Sequence, residues 1–334
     1  MNEVLSICIP TYNRSQYLLQ TLEAFLSQVM PQQIPMYVSD NGSIDNTAEM
    51  LSEFKKNRYP LLFFKTNTSN LGIDRNIASA ISMASSRHVW LFGDDDVPRP
   101  GAIDRILSHL GDDYKLLVVN ASSYNLDFSV RIEERRVKLL HDRIYEPSEH
   151  ERLLIDTVRY TAFIGGLVVE RNLWHSIPQE EFMGSDYIHV AVAYRYIVGY
   201  KALFLAEPLI NIRLGGTSWA NRYFEVELIN WPETVWALPS KHYSDRTKSR
   251  VCKEKPVHSI KKLLATRAYG YYGKAEYERY IQPDSTIQTW KKRLFYAVTF
   301  LPQKMMKFML ICLKCLQCIW GKPNLKLTLY RLSA

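Results

Sequence analysis

The chain has 334 residues, 47% hydrophobic and 23% charged, a globular balance long enough for one large domain or a domain with an appendage. Its five cysteines, Cys8, Cys252, Cys312, Cys315 and Cys318, leave a single thiol in the first 251 residues, which excludes a disulfide scaffold and suits a reducing compartment. Charge is uneven: residues 1–240 carry 22 Lys and Arg against 29 Asp and Glu, residues 241–334 carry 20 against 5, and no acidic residue follows Asp284. A basic end on an acidic body calls for an anionic partner, lipid or nucleic acid. No basic leader or cleavage site precedes the first apolar run, so no secretory signal is expected.

The first third alternates strand and helix patterns. Val4–Pro10 reads as a buried strand, and Ser15–Gln28 carries apolar residues at helical spacing. Pro35–Ser39 is a second strand running into Asp40-Asn41-Gly42-Ser43, which is turn chemistry. An amphipathic helix over Asp45–Lys56 leads to a third strand, Leu61–Lys65. Asn70-Leu71-Gly72 turns into a helix over Ile73–Ser85, and His88–Phe92 is a fourth strand ending at Gly93-Asp94-Asp95-Asp96. This order predicts an α/β fold with a doubly wound, mainly parallel sheet. Ligands in such sheets bind beyond the carboxyl ends of the strands, which singles out Pro10–Arg14, Asp40–Ser43, Asn67–Asn76 and Gly93–Asp96. Further on, strands are expected over Leu116–Asn120, Val130–Leu139, Phe163–Val169 and Ala202–Leu205, with a helix over Asp186–Val198. Composition turns basic near Lys241. This divides the chain into a body, 1–240, with a donor half to about residue 110 and an acceptor half after it, and a basic helical extension, 241–334.

Asp94-Asp95-Asp96 carries the most specific chemistry. In an extended segment alternate side chains share a face, so Asp94 and Asp96 point together and offer hard oxygens to Mg²⁺ or Mn²⁺ bridging a diphosphate. Read alone, the triplet is rather a solvated acidic turn, helped by Pro98 and Pro100. Pro10-Thr11-Tyr12-Asn13-Arg14, Asp40 and Asn70-Leu71-Gly72 with Arg75 stand at the other strand ends, offering a hydroxyl, a carboxylate for base or ribose, and a planar guanidinium for phosphate. Asp40–Ser43 also reads as a plain turn, and Asp74 as a helix cap.

The runs SICIPTYNR, VSDNGSIDNT and NLGIDRNIASAISMASSRHVWLFGDDDVPRPGAI resemble the family 2 glycosyltransferases of the Rossmann-like GT-A fold over about residues 4–110. The stretch Asp74-Arg75-Asn76 and the GDDD ending are similar to the branch that includes abequosyltransferases and related O-antigen sugar transferases. By this resemblance the Pro10–Thr11 loop and Asp40 hold the nucleotide base, with Tyr12, Arg14, Asn41, Asn70, Gly72, Arg75 and Asp95 around the donor. Asp94 touches the ribose and assists Asp96 at the metal. Family members carry a catalytic base as the Asp of a Glu-Asp pair opening a helix, and the matching stretch here is Met183-Gly184-Ser185-Asp186-Tyr187. Asp186 is therefore the candidate for taking the acceptor proton in an inverting transfer, with Glu180 and Glu181 as competitors. Its plainer role is to complement a helix dipole, and a retaining outcome would need no such base. Arg213, in Asn211–Gly216, is either a mobile loop residue closing on the diphosphate or a surface charge.

Scattered histidines give zinc no support, and Cys312, Cys315 and Cys318 fit one apolar helix stripe better than a cluster motif. Residues 285–321 mix aromatics, Leu and Met with Lys. Their longest uncharged run, Leu294–Gln303, is half the length needed to span a bilayer. An interfacial amphipathic segment fits instead, inserting Phe295, Leu301, Met305, Phe308 and Trp320 into an anionic surface. The alternative is a helix packed on the protein. The density of bulky aliphatics argues against nucleic acid. The expectation is thus a metal-dependent hexosyl- or deoxyhexosyltransferase passing sugar from a nucleoside-diphosphate donor to a lipid-linked oligosaccharide, peripheral at the cytoplasmic face of a bacterial inner membrane. A nucleotidyltransferase, or a non-catalytic lipid-binding protein on the same scaffold, is the alternative. The former would show a Gly-rich phosphate loop with a nearby Lys, and PTYNR offers neither.

Overall fold

A computed structural model describes residues 2–216 and 219–319. The chain forms two compact units, Met1–Leu214 with Ala237–Val251, and Gly215–Trp236 with Cys252–Ala334. The change expected near Lys241 therefore falls inside a segment that returns to the first unit.

The first unit is built on one sheet. β1 (Leu5–Thr11), β2 (Met36–Asp40), β3 (Leu62–Thr66) and β4 (His88–Leu91) pair in parallel in the order β3-β2-β1-β4. Crossover helices α1 (Ser15–Gln32), α2 (Thr47–Asn57) and α3 (Ile73–Met83) join them. All seven residues of β1 are buried, as a strand covered on both faces requires. Behind it Phe25 of α1 meets Phe92 edge-on at 4.8 Å, and Trp90 meets Phe92 at 5.0 Å. These strands lie within a residue or two of their expected positions.

Beyond β4 the sheet is mixed. β5 (Val97–Pro98) and α4 (Ala102–Leu110) lead to β6 (Tyr114–Tyr124), β7 (Arg131–Glu133) and β8 (Arg143–Tyr145). Helix α5 (His150–Thr161) precedes β9 (Leu167–Glu170), which sits antiparallel between β4 and β6. After α6 (Arg171–Ser176) and α7 (Ile188–Tyr196), β10 (Lys201–Arg213) runs parallel to β6 and closes on β5 antiparallel. Expected Val130–Leu139 is a strand only over β7. Its later part is held instead by Asn120, whose Nδ2 donates to the Val137 carbonyl at 2.9 Å and whose Oδ1 accepts the Val137 amide at 3.0 Å. The helix expected from Asp186 starts two residues later because Asp186 is left-handed, φ +63°, which a right-handed helix cannot include.

The second unit has its own core, with Phe224, Leu228, Leu263, Tyr272, Ile281 and Phe295 among its buried residues. Its last described helices span Thr289–Val298 and Gln303–Ile319. Phe295 is 2% exposed and Leu301 packs against the core, so neither is available for membrane insertion; Trp320 lies outside the described residues. Met305 and Phe308 are exposed, as are Trp290, Leu294, Phe300 and Met309. The segment packs on its own unit, as the packed-helix reading expects, and still presents apolar side chains. Among the described residues no helix is long and apolar enough to cross a membrane.

Candidate active site

Thr11 ends β1 and ties three other segments to it. Its Oγ1 donates to Asp94 Oδ2 at 2.8 Å, and its carbonyl accepts the Asn41 amide at 2.9 Å and Asn76 Nδ2 at 3.1 Å. Pro10 is buried within β1, Tyr12 is exposed, and Arg14 pairs with Asp94 and Asp95.

The acidic triplet is not extended. β4 stops at Leu91, and Asp94-Asp95 form a turn that Thr21 closes, its Oγ1 donating to the carbonyls of Asp94 at 3.0 Å and Asp96 at 2.7 Å. Asp94 and Asp95 bend together toward Arg14. Asp96 takes a separate course, its Oδ1 accepting the Arg213 amide at 2.9 Å. A Cβ on Gly93 would lie 2.6 Å from Asp96 Oδ2, so the carboxylate occupies the space that only glycine leaves. Strand alternation thus gives way to a turn, because Arg14 and Thr21 draw the first two residues out of register. Thr21 escapes a sequence reading. Its signal is a polar residue among Leu18, Leu22 and Phe25 on the buried face of α1.

Burial, and then the Asp95 charge, push the Asp94 carboxyl up to about 7 against the pull of Arg14 and Thr11. Burial followed by Asp95 also raises Asp96 well above the ordinary range, against the Arg213 amide. Burial alone would lower the Arg14 pKa, but Asp94 and Asp95 hold it above its usual value. The turn is short of positive charge. Among the described residues no three His, Cys, Asp or Glu side chains form a ready-made metal cage. The carboxylates of Asp94 and Asp96 are hard oxygen donors of the kind that suits Mg²⁺ or Mn²⁺, ions that take one or two carboxylates and complete their shell with substrate phosphate and water.

Asp40 ends β2 fully buried. Its Oδ1 accepts the Ser43 amide at 3.1 Å and the Ser43 hydroxyl at 2.5 Å, while Oδ2 has no hydrogen-bond partner. Asn41 is spent on the neighbouring loop: Oδ1 accepts from Asn67 Nδ2 and the Leu71 amide, and Nδ2 donates to Asn70 Oδ1 and the Gly72 carbonyl. The loops nearly touch at Gly42 (φ +76°), where a Cβ would come within 2.8 Å of the Ser69 backbone.

Asp74, Arg75 and Asn76, at the start of α3, are successive tethers. Asn76 holds Thr11, as above. Arg75, read as a diphosphate ligand, forks onto Glu180 at 3.0 and 3.3 Å in a solvent-exposed pair. Asp74 caps not its own helix but the approach to α7, accepting the Gly184 and Asp186 amides at 2.9 Å each and the Ile188 amide at 3.0 Å. Half-buried Asp186 is thereby linked, through α3 and Thr11, to Asp94. The competing Glu181 pairs with Arg195 at 2.7 Å.

Arg213 is buried and not on the surface. It ends β10 with its guanidinium over the Tyr17 and Phe128 rings at 4.7 and 4.3 Å, donating to the Asp95 carbonyl, the Leu126 carbonyl and Gln20 Oε1. In this structure its donors brace the acidic turn and the neighbouring segments.

Residues 6–168 match the sequence family described as Glycosyl transferase family 2. These residues belong to glycosyltransferase family 2. The glycosyltransferase is 24% identical over 293 residues to "Abequosyltransferase RfbV" of Salmonella typhimurium, covering 83% of this chain and 86% of the relative. It is also 24% identical over 110 residues to the "GalNAc(5)-diNAcBac-PP-undecaprenol beta-1,3-glucosyltransferase" of Campylobacter jejuni, covering 33% of this chain and 35% of that one. Among solved structures it shares its fold with the mannosyltransferase PcManGT of Pyrobaculum calidifontis in complex with GDP-Man and Mn²⁺. The TM-score is 0.53 at 15% identity, over 80% of this chain and 76% of that one. The glycosyltransferase thus has the GT-A-type fold implied by its strand-end motifs. Glycosyl transfer displaces the nucleotidyltransferase and lipid-binding readings.

Proposed function

We propose that this glycosyltransferase moves a hexosyl or deoxyhexosyl unit from a nucleoside-diphosphate sugar to a lipid-linked oligosaccharide of O-antigen or another surface polysaccharide, inverting the anomeric carbon. The observation that carries the donor side is the acidic turn, where Asp94 and Asp95 pair with Arg14 while buried Asp96 accepts the Arg213 amide. Asp96, assisted by Asp94, would hold Mg²⁺ or Mn²⁺. Such an ion supplies charge compensation to the departing diphosphate. Asp40 Oδ2, a buried acceptor without a partner, suits an N–H of the nucleotide base after a small opening of the Asp40–Ser43 turn. The acceptor hydroxyl attacks the anomeric carbon, the bond from that carbon to the diphosphate breaks, and the hydroxyl proton passes to Asp186.

Acceptor class and location rest on two supports. The Campylobacter relative bears an undecaprenol-linked substrate in its name, and Trp290, Phe300 and Phe308, among Lys291, Lys292, Arg293, Lys304 and Lys307, form an apolar and basic exterior. Such a surface suits the anionic cytoplasmic leaflet, where a lipid-carried acceptor is confined. A thermal-shift screen of UDP-, GDP-, CDP- and dTDP-sugars with Mn²⁺ identifies the donor. Asp96→Asn, which keeps an acceptor for the Arg213 amide, should then abolish turnover. Full turnover of the wild-type enzyme in EDTA would end the metal reading.

A further inference from the structure

We infer that Asp74 is the positioning residue for Asp186, an inference that rests on the proposed role of Asp186 as base. Asp74 sits in the first turn of α3, 3% exposed, and both its oxygens are used by one loop across a separation of 112 residues between Asp74 and Asp186. Oδ2 takes the amides of Gly184 and of Asp186 itself, and Oδ1 takes that of Ile188, the first residue of α7. Asp186 is held at φ +63°, a conformation that costs an L-residue free energy and persists where the surroundings offset that cost. Gly184, at φ +91°, lets the loop fold back so that alternate amides face one carboxylate. Charge-assisted bonds of this kind are roughly twice as strong as neutral ones, and three on one side chain fix the backbone from which the Asp186 carboxylate projects.

The neighbours explain why this device belongs to the site and not only to the fold. Asn76, two positions along, bonds the Thr11 carbonyl, and Thr11 Oγ1 bonds Asp94. The first turn of α3 therefore sets the base loop and the donor loop against a common reference. Burial pushes the Asp74 carboxyl upward, and the three amides oppose that rise. Arg75 on Glu180 adds an exposed anchor to the same loop. A shift of about 1 Å in a reacting group costs up to 10²-fold in rate, so a loosened loop should act on the chemical step while leaving the donor bound.

The test uses the full chain and nucleoside-diphosphate release from whichever of UDP-N-acetylglucosamine, GDP-mannose or a CDP- or dTDP-sugar gives turnover. Asp74→Asn keeps the size but places an amide N–H₂ against at least one backbone N–H. It should lower kcat about 10- to 100-fold with the donor KM unchanged. Asp186→Asn and the double variant complete a cycle: if Asp74 acts through Asp186, the double variant is no slower than Asp186→Asn alone. Additive losses, or a loss confined to donor KM, overturn the inference. If Asp186→Asn turns over normally, the base reading itself fails. If only Asp186→Asn is impaired and Asp74→Asn is not, the positioning role alone fails. Should Asp74→Asn not fold, Asp74→Ser, which retains one acceptor without bulk, takes its place in the cycle. Failure of both to fold makes Asp74 a structural residue and overturns the proposal.

Discussion

The acidic turn after β4 and the outer helices of the second unit depart from ordinary burial in opposite senses. At the turn, Asp94 and Asp96 are 9% and 2% exposed, charges withdrawn from water. On the helices, Phe300 and Phe308 are 67% and 68% exposed, rings left in it. Buried carboxylates and exposed aromatic side chains both forgo free energy that folding alone would recover. The difference teaches that each departure is where the proposed function places a partner: a cation and diphosphate at the first, an apolar anionic surface at the second.

The largest expected effect breaks the comparison at the turn. Asp96→Asn should cut turnover by at least about 10²–10³-fold, the cost of losing one preorganised electrostatic contact. Its thermal midpoint should stay unchanged or rise, because a buried charge is removed while an acceptor remains for Arg213. A marked fall in midpoint would mean that the carboxylate stabilises the fold. Next comes Asp186→Asn, expected to lower kcat by about 10²–10⁴ with donor and Mn²⁺ affinity retained. Product analysis showing retention at the anomeric carbon would remove the base role.

The second unit offers smaller effects. Removing the chain from residue 285 is a poor test of membrane binding, since Ile287, Phe295 and Val298 belong to that unit's core. Replacing Trp290, Phe300 and Phe308 with Ser leaves the core in place. It should weaken cosedimentation with phosphatidylglycerol vesicles even at high salt, whereas Lys304→Gln with Lys307→Gln should weaken it by about 1 kcal/mol per charge at low salt only. Unaltered sedimentation of the triple variant would assign the exposed rings to another partner. The smallest effect concerns Asp284. Burial alone would raise its pKa, but Thr286 and His258 bring it down to about 2. Its contribution is therefore present above the ordinary value near 4 and lost as pH falls toward 2. Unfolding followed over that window should show a slope that Asp284→Asn lacks.

Much of the donor half is legible in the sequence because its signals are local. An apolar run, a turn dipeptide and a helical period each lie within a dozen residues, and β1–β4 follow from them. The acceptor half is harder for identifiable reasons. β10 extends to Arg213 although only Ala202–Leu205 reads as strand, since Glu207-Pro208 interrupts the pattern and the ladder shifts register between Leu205 and Ile210. α4 begins just after Pro100 and Gly101, where punctuation hides it, and polar residues dilute the period of α5. At the site, residue types are legible but their commitments are not. Nothing near Asp74 in the chain announces a loop more than a hundred residues later, and nothing near Arg213 announces that it is buried between two rings.

The Arg213 amide reaches Asp96 across 117 residues. The stretch matching the family ends at residue 168, short of both Asp186 and Arg213. That stretch is therefore not a portable cassette. A chimera joining it to the acceptor half of another transferase would inherit the acidic turn without its brace, and would recover a shaped site only if the incoming strand supplied an amide at the same register against β5.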